Sequence, residues 1–88
     1  MKLIIAITRD EDGEKMINTL VEESYRVTRM ASTGGFLRRG MTTMMIGTED
    51  EKVDDVITLV KGSCTPVSEN GDRCTTIFVL NVNQFAQV

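Results

Sequence analysis

The 88-residue chain contains no histidine, which removes the commonest general base and the commonest metal ligand together. No nucleophile stands beside an evident base either, so conventional catalysis has little to work with and the chain does not read as an enzyme. Cysteine is scarce: Cys64 and Cys74 are the only two, and their spacing matches neither a zinc finger nor a Cys-His pair. They read as reduced structural thiols rather than a disulfide in a cytoplasmic protein. Long apolar runs are also lacking. Leu3-Ile4-Ile5-Ala6-Ile7 is too short to span a bilayer, and Arg9-Asp10-Glu11-Asp12 follows where a signal peptide would carry its small-residue cleavage site. The expectation is a cytoplasmic protein with no membrane partner. A basic excess is missing too, since Lys and Arg number 10 against 13 Asp and Glu, for a net charge of −3. Such a balance excludes gripping nucleic acid by the whole surface, though not a local basic patch. Neither internal repeats nor low-complexity tracts are evident.

What is present is an ordinary folding composition, 41% hydrophobic and 26% charged, in a length that predicts one domain over 1–88. A domain this small buries a modest share of its unfolded surface, so self-association is a reasonable source of further burial. The run from Leu3 to Ile7 has strand length and the continuous apolar character of a central strand. Met16, Ile17, Leu20 and Val21 then fall on one side of a helix that opens with Asp10-Glu11-Asp12. Tyr25 to Ala31 predicts a second strand, with Tyr25, Val27 and Ala31 on one face and Arg26, Thr28 and Met30 on the other. The stretch 32–41, with three glycines and two arginines, punctuates it, and Met41 to Thr48 resumes strand character.

Thr48 and Glu51 have capping-box spacing and predict the start of a second helix. Val53, Val56, Ile57 and Val60 form its apolar stripe, and Gly62 is placed to end it in a left-handed conformation. A polar connector over 62–73, with a tight-turn signal at Asn70-Gly71, leads to a last strand from Cys74 to Val82. The order strand, helix, strand, strand, helix, strand predicts an α+β, ferredoxin-like βαββαβ fold with a four-stranded antiparallel sheet and two helices on one face. The other face, with Met30, Met44 or Met45 and Phe78 available to it, would be buried by packing subunits in a closed ring.

Function has to come from sites, because this fold hosts many activities. The paired acids Glu22-Glu23, Glu49-Asp50-Glu51 and Asp54-Asp55 sit at helix ends or on exposed helix faces and read as structural rather than metal-binding or acid-base groups. Arg26, Arg29, Arg38 and Arg39 are more informative, since they gather around one glycine-containing loop in an acidic chain. Gly34-Gly35 can turn backbone N–H groups toward a phosphate, and guanidinium groups supply charge-assisted donors. Thr28 adds a hydroxyl beside Arg26, while Phe36 and Leu37 offer a flat apolar surface for a base. The alternative is a solvated turn with Phe36 and Leu37 against a neighbouring subunit. Phe78 is likewise core residue or ligand platform.

The run from Arg26-Val27-Thr28 through Ser32-Thr33-Gly34-Gly35-Phe36-Leu37 to Thr42-Thr43 and Ile46-Gly47 resembles the PII-like cyclic di-AMP receptor family of Gram-positive bacteria. Met1 to Ile7, Thr76 to Leu80 and Gln84-Phe85 share the likeness. The resemblance implies a PII-like homotrimer of ferredoxin-like subunits that binds cyclic di-AMP in the clefts between neighbours, uses no cofactor, and relays the signal to a downstream protein by loop rearrangement. It implies ligand contacts from Arg26, Thr28, Gly35, Phe36, Leu37, Gly47, Phe78 and Gln87. Met41 stands where the family usually carries asparagine, so an apolar side chain replaces a polar contact at that site position. The connector 62–73 is also shorter than the family's. A PII-like sensor of another adenine nucleotide or small anion is the alternative reading. An RNA-binding ferredoxin-like module is more remote, because the aromatic-rich strand motifs used for base stacking are absent and the net charge is negative.

Overall fold

A computed structural model describes residues 1–32, 40–64 and 74–88. The predicted turn at Asn70-Gly71 and most of the glycine-containing loop lie outside the described residues. Strand β1 (Lys2–Arg9) leads into helix α1 (Asp10–Glu22), followed by β2 (Arg26–Ser32) and β3 (Met41–Thr48). A 3-10 turn (Asp50–Lys52) precedes α2 (Val53–Gly62), and β4 (Thr75–Asn81) completes the set. The strands form one sheet in the order β2-β3-β1-β4 with every neighbouring pair antiparallel. This is the ferredoxin-like α+β arrangement, with β3 inserted between the two strands that α1 connects.

The register fixes which side chains meet the helices. Ile4, Ala6 and Thr8 of β1 are fully buried, and so are Met44 and Ile46 of β3, which alternate with half-exposed neighbours as a two-residue period requires. They pack against Met16 and Leu20 of α1 and Val56 and Val60 of α2 in one core. Apolar burial at roughly 25 cal/mol per Å² is the main term holding the two helices to this face. The opposite face carries Leu3, Ile5 and Ile7, paired across to Leu80, Phe78 and Thr76 of β4 and to Gly47, Met45 and Thr43 of β3. Of the two methionines expected there, Met45 occupies the open face and Met44 belongs to the core, because only one of two adjacent strand residues can face either way.

Several local expectations are corrected. Thr48 does not cap α2: it is the last residue of β3, buried and paired with Lys2, and no side chain caps the turn at Asp50 or the start of α2. Gly62 is not left-handed; α2 closes through Ser63, whose amide bonds the Val60 carbonyl at 3.1 Å and whose hydroxyl bonds the Leu59 carbonyl at 3.0 Å. The left-handed residue lies instead at the end of α1, where Ser24 has φ 69°. There the Tyr25 amide reaches back to the Leu20 carbonyl at 3.0 Å and the Ser24 amide to that of Val21 at 2.9 Å, a Schellman closure built on serine. Val21, expected in the buried stripe, is 54% exposed. In β2 the pairing with β3 shifts register between Arg29 and Ala31, a bulge that interrupts the strand's regular alternation.

Cys64 and Cys74 were expected to be reduced, and they are joined in a disulfide. The bond links the end of α2 to the residue before β4, two points whose Cα atoms stand 5.8 Å apart. That separation lies in the range a disulfide needs, so the sheet register rather than the spacing in sequence decides the pairing.

Candidate functional site

The site grows from the end of the sheet where β1 and β2 begin and β3 ends. Register sets Leu3, Gly47 and Arg26 side by side on the open face, with Gly47 in the middle. A glycine there leaves a gap in the row of side chains. A Cβ built on Gly47 meets nothing within 4 Å. The next row holds Ile5, Met45 and Thr28, so Thr28 and Arg26 stand two residues apart on the same face.

The C-terminal segment closes this hollow. The Val82 amide bonds the Met1 carbonyl at 3.1 Å, which extends the β4 pairing by one step, and the chain then leaves the sheet. Crossing from β4 to β2 covers three interstrand spacings, about 14 Å, which five further residues can span at about 3.3 Å each. Gln87 makes the crossing: its Oε1 accepts a hydrogen bond from Arg26 Nη1 at 2.9 Å. Phe85, 64% exposed, forms part of the same wall.

The result is a cavity of about 510 Å³ in the size class of small-molecule sites. Its floor and sides are apolar, from Leu3, Met45, Val82 and Phe85, and its polar groups are Arg26, Thr28, Gln87 and Lys2. Among the described residues two cationic side chains line it and no carboxylate does, although acidic residues outnumber basic ones in the chain. Lys2 is held in turn by a hydrogen bond from its ammonium group to Asn81 Oδ1. Such a lining suits a ligand that pairs an anionic group with a flat apolar one.

Four of the residues singled out in the sequence, Arg26, Thr28, Gly47 and Gln87, therefore meet in one cavity. Two do not. Met41 opens β3 opposite Arg9, six residues and about 20 Å of strand from Gly47. Phe78 lies on the open face of β4 opposite Ile5, 51% exposed and away from the cavity lining. Gly35, Phe36 and Leu37 lie outside the described residues. Reading the sequence missed Leu3, Met45, Val82 and Phe85 as cavity walls. Strand parity carried a signal for Leu3 and Met45, which share the face of Arg26 and Thr28, whereas nothing local reveals that the terminal segment turns back to β2.

At the other end of β1 a buried polar cluster ties the exit of the loop to the sheet. The Asp10 amide bonds the Gly40 carbonyl at 3.0 Å, and Thr42 Oγ1 donates to Asp10 Oδ1. Asp12, buried despite its charge, accepts from Arg9 Nη2 at 3.1 Å. Thr8 Oγ1 donates to the Cys74 carbonyl at 3.0 Å. No group of three or more metal-ligating side chains, and no helix long and apolar enough to cross a membrane, occurs among the described residues.

Fold and cavity together define a small ferredoxin-like protein with an open apolar pocket edged by Arg26, Thr28, Gln87 and Lys2. The chain belongs to the cyclic-di-AMP receptor family, whose model matches residues 1–70. Phe78, Phe85 and Gln87 lie beyond the matched stretch. A crystal structure of a functionally unknown protein from Pediococcus pentosaceus ATCC 25745 is similar along nearly the whole length, with 33% sequence identity and a TM-score of 0.77 over 99% of this chain and 96% of that one.

Proposed function

We propose that the chain is a non-enzymatic signalling receptor for cyclic di-AMP and that the Arg26 cavity is its half of an intersubunit nucleotide site. The observation that carries this reading is the Gly47 gap, which sets Arg26, Thr28 and Gln87 around a space with apolar walls and, among the described residues, no carboxylate. A phosphate of the ligand takes charge-assisted hydrogen bonds from the Arg26 guanidinium, and Thr28 supplies a further donor. Gln87 holds the guanidinium in place before the ligand arrives, which lowers the cost of ordering it. An adenine ring lies against the apolar wall of Leu3, Met45 and Phe85.

Met41 and Phe78, distant from this cavity within one subunit, face the site from a neighbour in a homotrimer. The exposed apolar side chains of the open face, Phe78 at 51% and Leu80 at 46%, are the surface such a trimer would bury. Contacts from Gly35, Phe36 and Leu37 favour one arrangement of the loop over others, and a downstream protein reads the difference.

Gly47→Val tests the assignment, because a Cβ at this position meets nothing within 4 Å and so the added side chain projects toward the cavity. The variant should fold with unchanged or raised stability, since a strand interior favours valine over glycine by about 0.5–1 kcal/mol. It should lose the rise in melting temperature that cyclic di-AMP gives the parent protein. A parent protein that responds to ATP but not to cyclic di-AMP would move the assignment to another adenine nucleotide. A Gly47→Val variant that binds as tightly as the parent would remove the cavity from the account.

A further inference from the structure

The Cys64–Cys74 disulfide lies at the edge of the core and outside the lining of the nucleotide cavity. Cys74 is 8% exposed, and its sulfur lies 3.5 Å from Asp12 Oδ2 and 3.9 Å from Thr8 Oγ1. A disulfide sulfur carries no proton, so in the oxidised form the carboxylate faces sulfur with no hydrogen between them. A thiol at the same place donates to that carboxylate. The two redox states of Cys74 therefore differ by one hydrogen bond to Asp12, a side chain 1% exposed that also accepts from Arg9. Arg9 is paired with Met41 across the β1–β3 ladder, and the adjacent Asp10 bonds both Gly40 and Thr42. A change at Cys74 is thus three short contacts from the exit of the glycine-containing loop. Cys64 is the accessible partner, half-buried at the end of α2 with its sulfur 3.5 Å from the Val60 carbonyl.

We propose that Cys64–Cys74 is a reversible redox centre, exchanging with a dithiol reductant of the thioredoxin kind, that adjusts the nucleotide site through Asp12 and the first turn of α1. A reductant thiolate attacks the more exposed Cys64 sulfur, the S–S bond breaks, and the Cys74 sulfur leaves and takes up a proton. The reductant's second thiol resolves the mixed disulfide and releases Cys64 as a thiol. Two electrons and two protons have then passed to the pair, and the reductant is left as its own disulfide. In the oxidised state the bond fixes Cys74, whose carbonyl holds Thr8, and the loop exit is preorganised for ligand. Reduction releases that constraint and redirects Asp12.

The inference rests on the cyclic di-AMP reading for its effect on affinity but not for its structural effect, and the experiment separates the two. Amide spectra of the full chain are recorded before and after treatment with thioredoxin, its reductase and nicotinamide cofactor, with thiol titration to count released sulfhydryls. Two thiols per chain should appear, and the Gly40, Thr42 and Asp12 amide signals should shift. Calorimetry with cyclic di-AMP should then show affinity about fivefold or more weaker in the reduced protein. Cys64→Ser should bind like reduced protein under either condition. Failure to release thiols, unmoved signals at Gly40 and Thr42, or equal affinity in both states each overturns the redox centre. Shifted signals with no cyclic di-AMP binding in either state would leave the redox centre standing as a structural switch and sink the ligand assignment instead.

Discussion

Gly13 occupies the first half of α1, where alanine would ordinarily stabilise a helix by about 1 kcal/mol. Here the sign should reverse. A Cβ at Gly13 would stand 3.1 Å from both Cβ and Oγ1 of Thr42 and 3.3 Å from its Cγ2. Thr42 cannot yield easily: it is 3% exposed, its backbone is paired with Thr8 on one side and Ser32 on the other, and its hydroxyl is committed to Asp10. Overpacking at such a site costs about 1–3 kcal/mol, so Gly13→Ala should destabilise the protein by a net of about 1 kcal/mol. Gly62→Ala is the control. Gly62 is also helical and not left-handed, and its added Cβ meets nothing within 4 Å, so it should gain about 0.5 kcal/mol. With a urea m-value of about 1 kcal/mol/M, the midpoint should fall by about 1 M for the first variant and rise by about half that for the second. If Gly13→Ala raises the midpoint as Gly62→Ala does, the close approach of α1 to β3 at the loop exit is not what holds that end of the sheet.

Ser24→Gly should raise stability by about 0.5–1 kcal/mol in the same assay, because glycine adopts φ 69° without the Cβ penalty that serine bears at the end of α1. A loss would mean that the serine side chain contributes more than its backbone strain costs. Ile46→Ala, which hollows a fully buried position between the sheet and the helices, should cost about 2–5 kcal/mol. A cost below 1 kcal/mol would place Ile46 outside the core.

Much of the fold was legible because strand parity and helical spacing are local. The strand character of Met41 to Thr48 and the stripe holding Val56 and Val60 follow directly from residue types, and the element order leads to the sheet topology. What failed depended on contacts distant in sequence or on competing local chemistry. Thr48 and Glu51 have the right spacing for a cap, yet pairing with Lys2 draws Thr48 into β3, and strand burial outweighs a surface hydrogen bond. The disulfide is decided by where α2 ends relative to β4, which no spacing rule contains. At the candidate site, Arg26 and Thr28 could be placed together by parity alone. Gln87 and Phe85 could not, because their position depends on a terminal segment crossing three strand spacings without regular structure.

The most direct test of the central claim is titration calorimetry of the purified chain with cyclic di-AMP, run beside Arg26→Ala. The account predicts saturable binding at one ligand per chain with micromolar or tighter affinity. Removing the guanidinium, worth about 1.5–3 kcal/mol as a charge-assisted donor, should weaken binding at least about tenfold. Absence of heat, with no rise in melting temperature at ligand well above micromolar concentration, would contradict it.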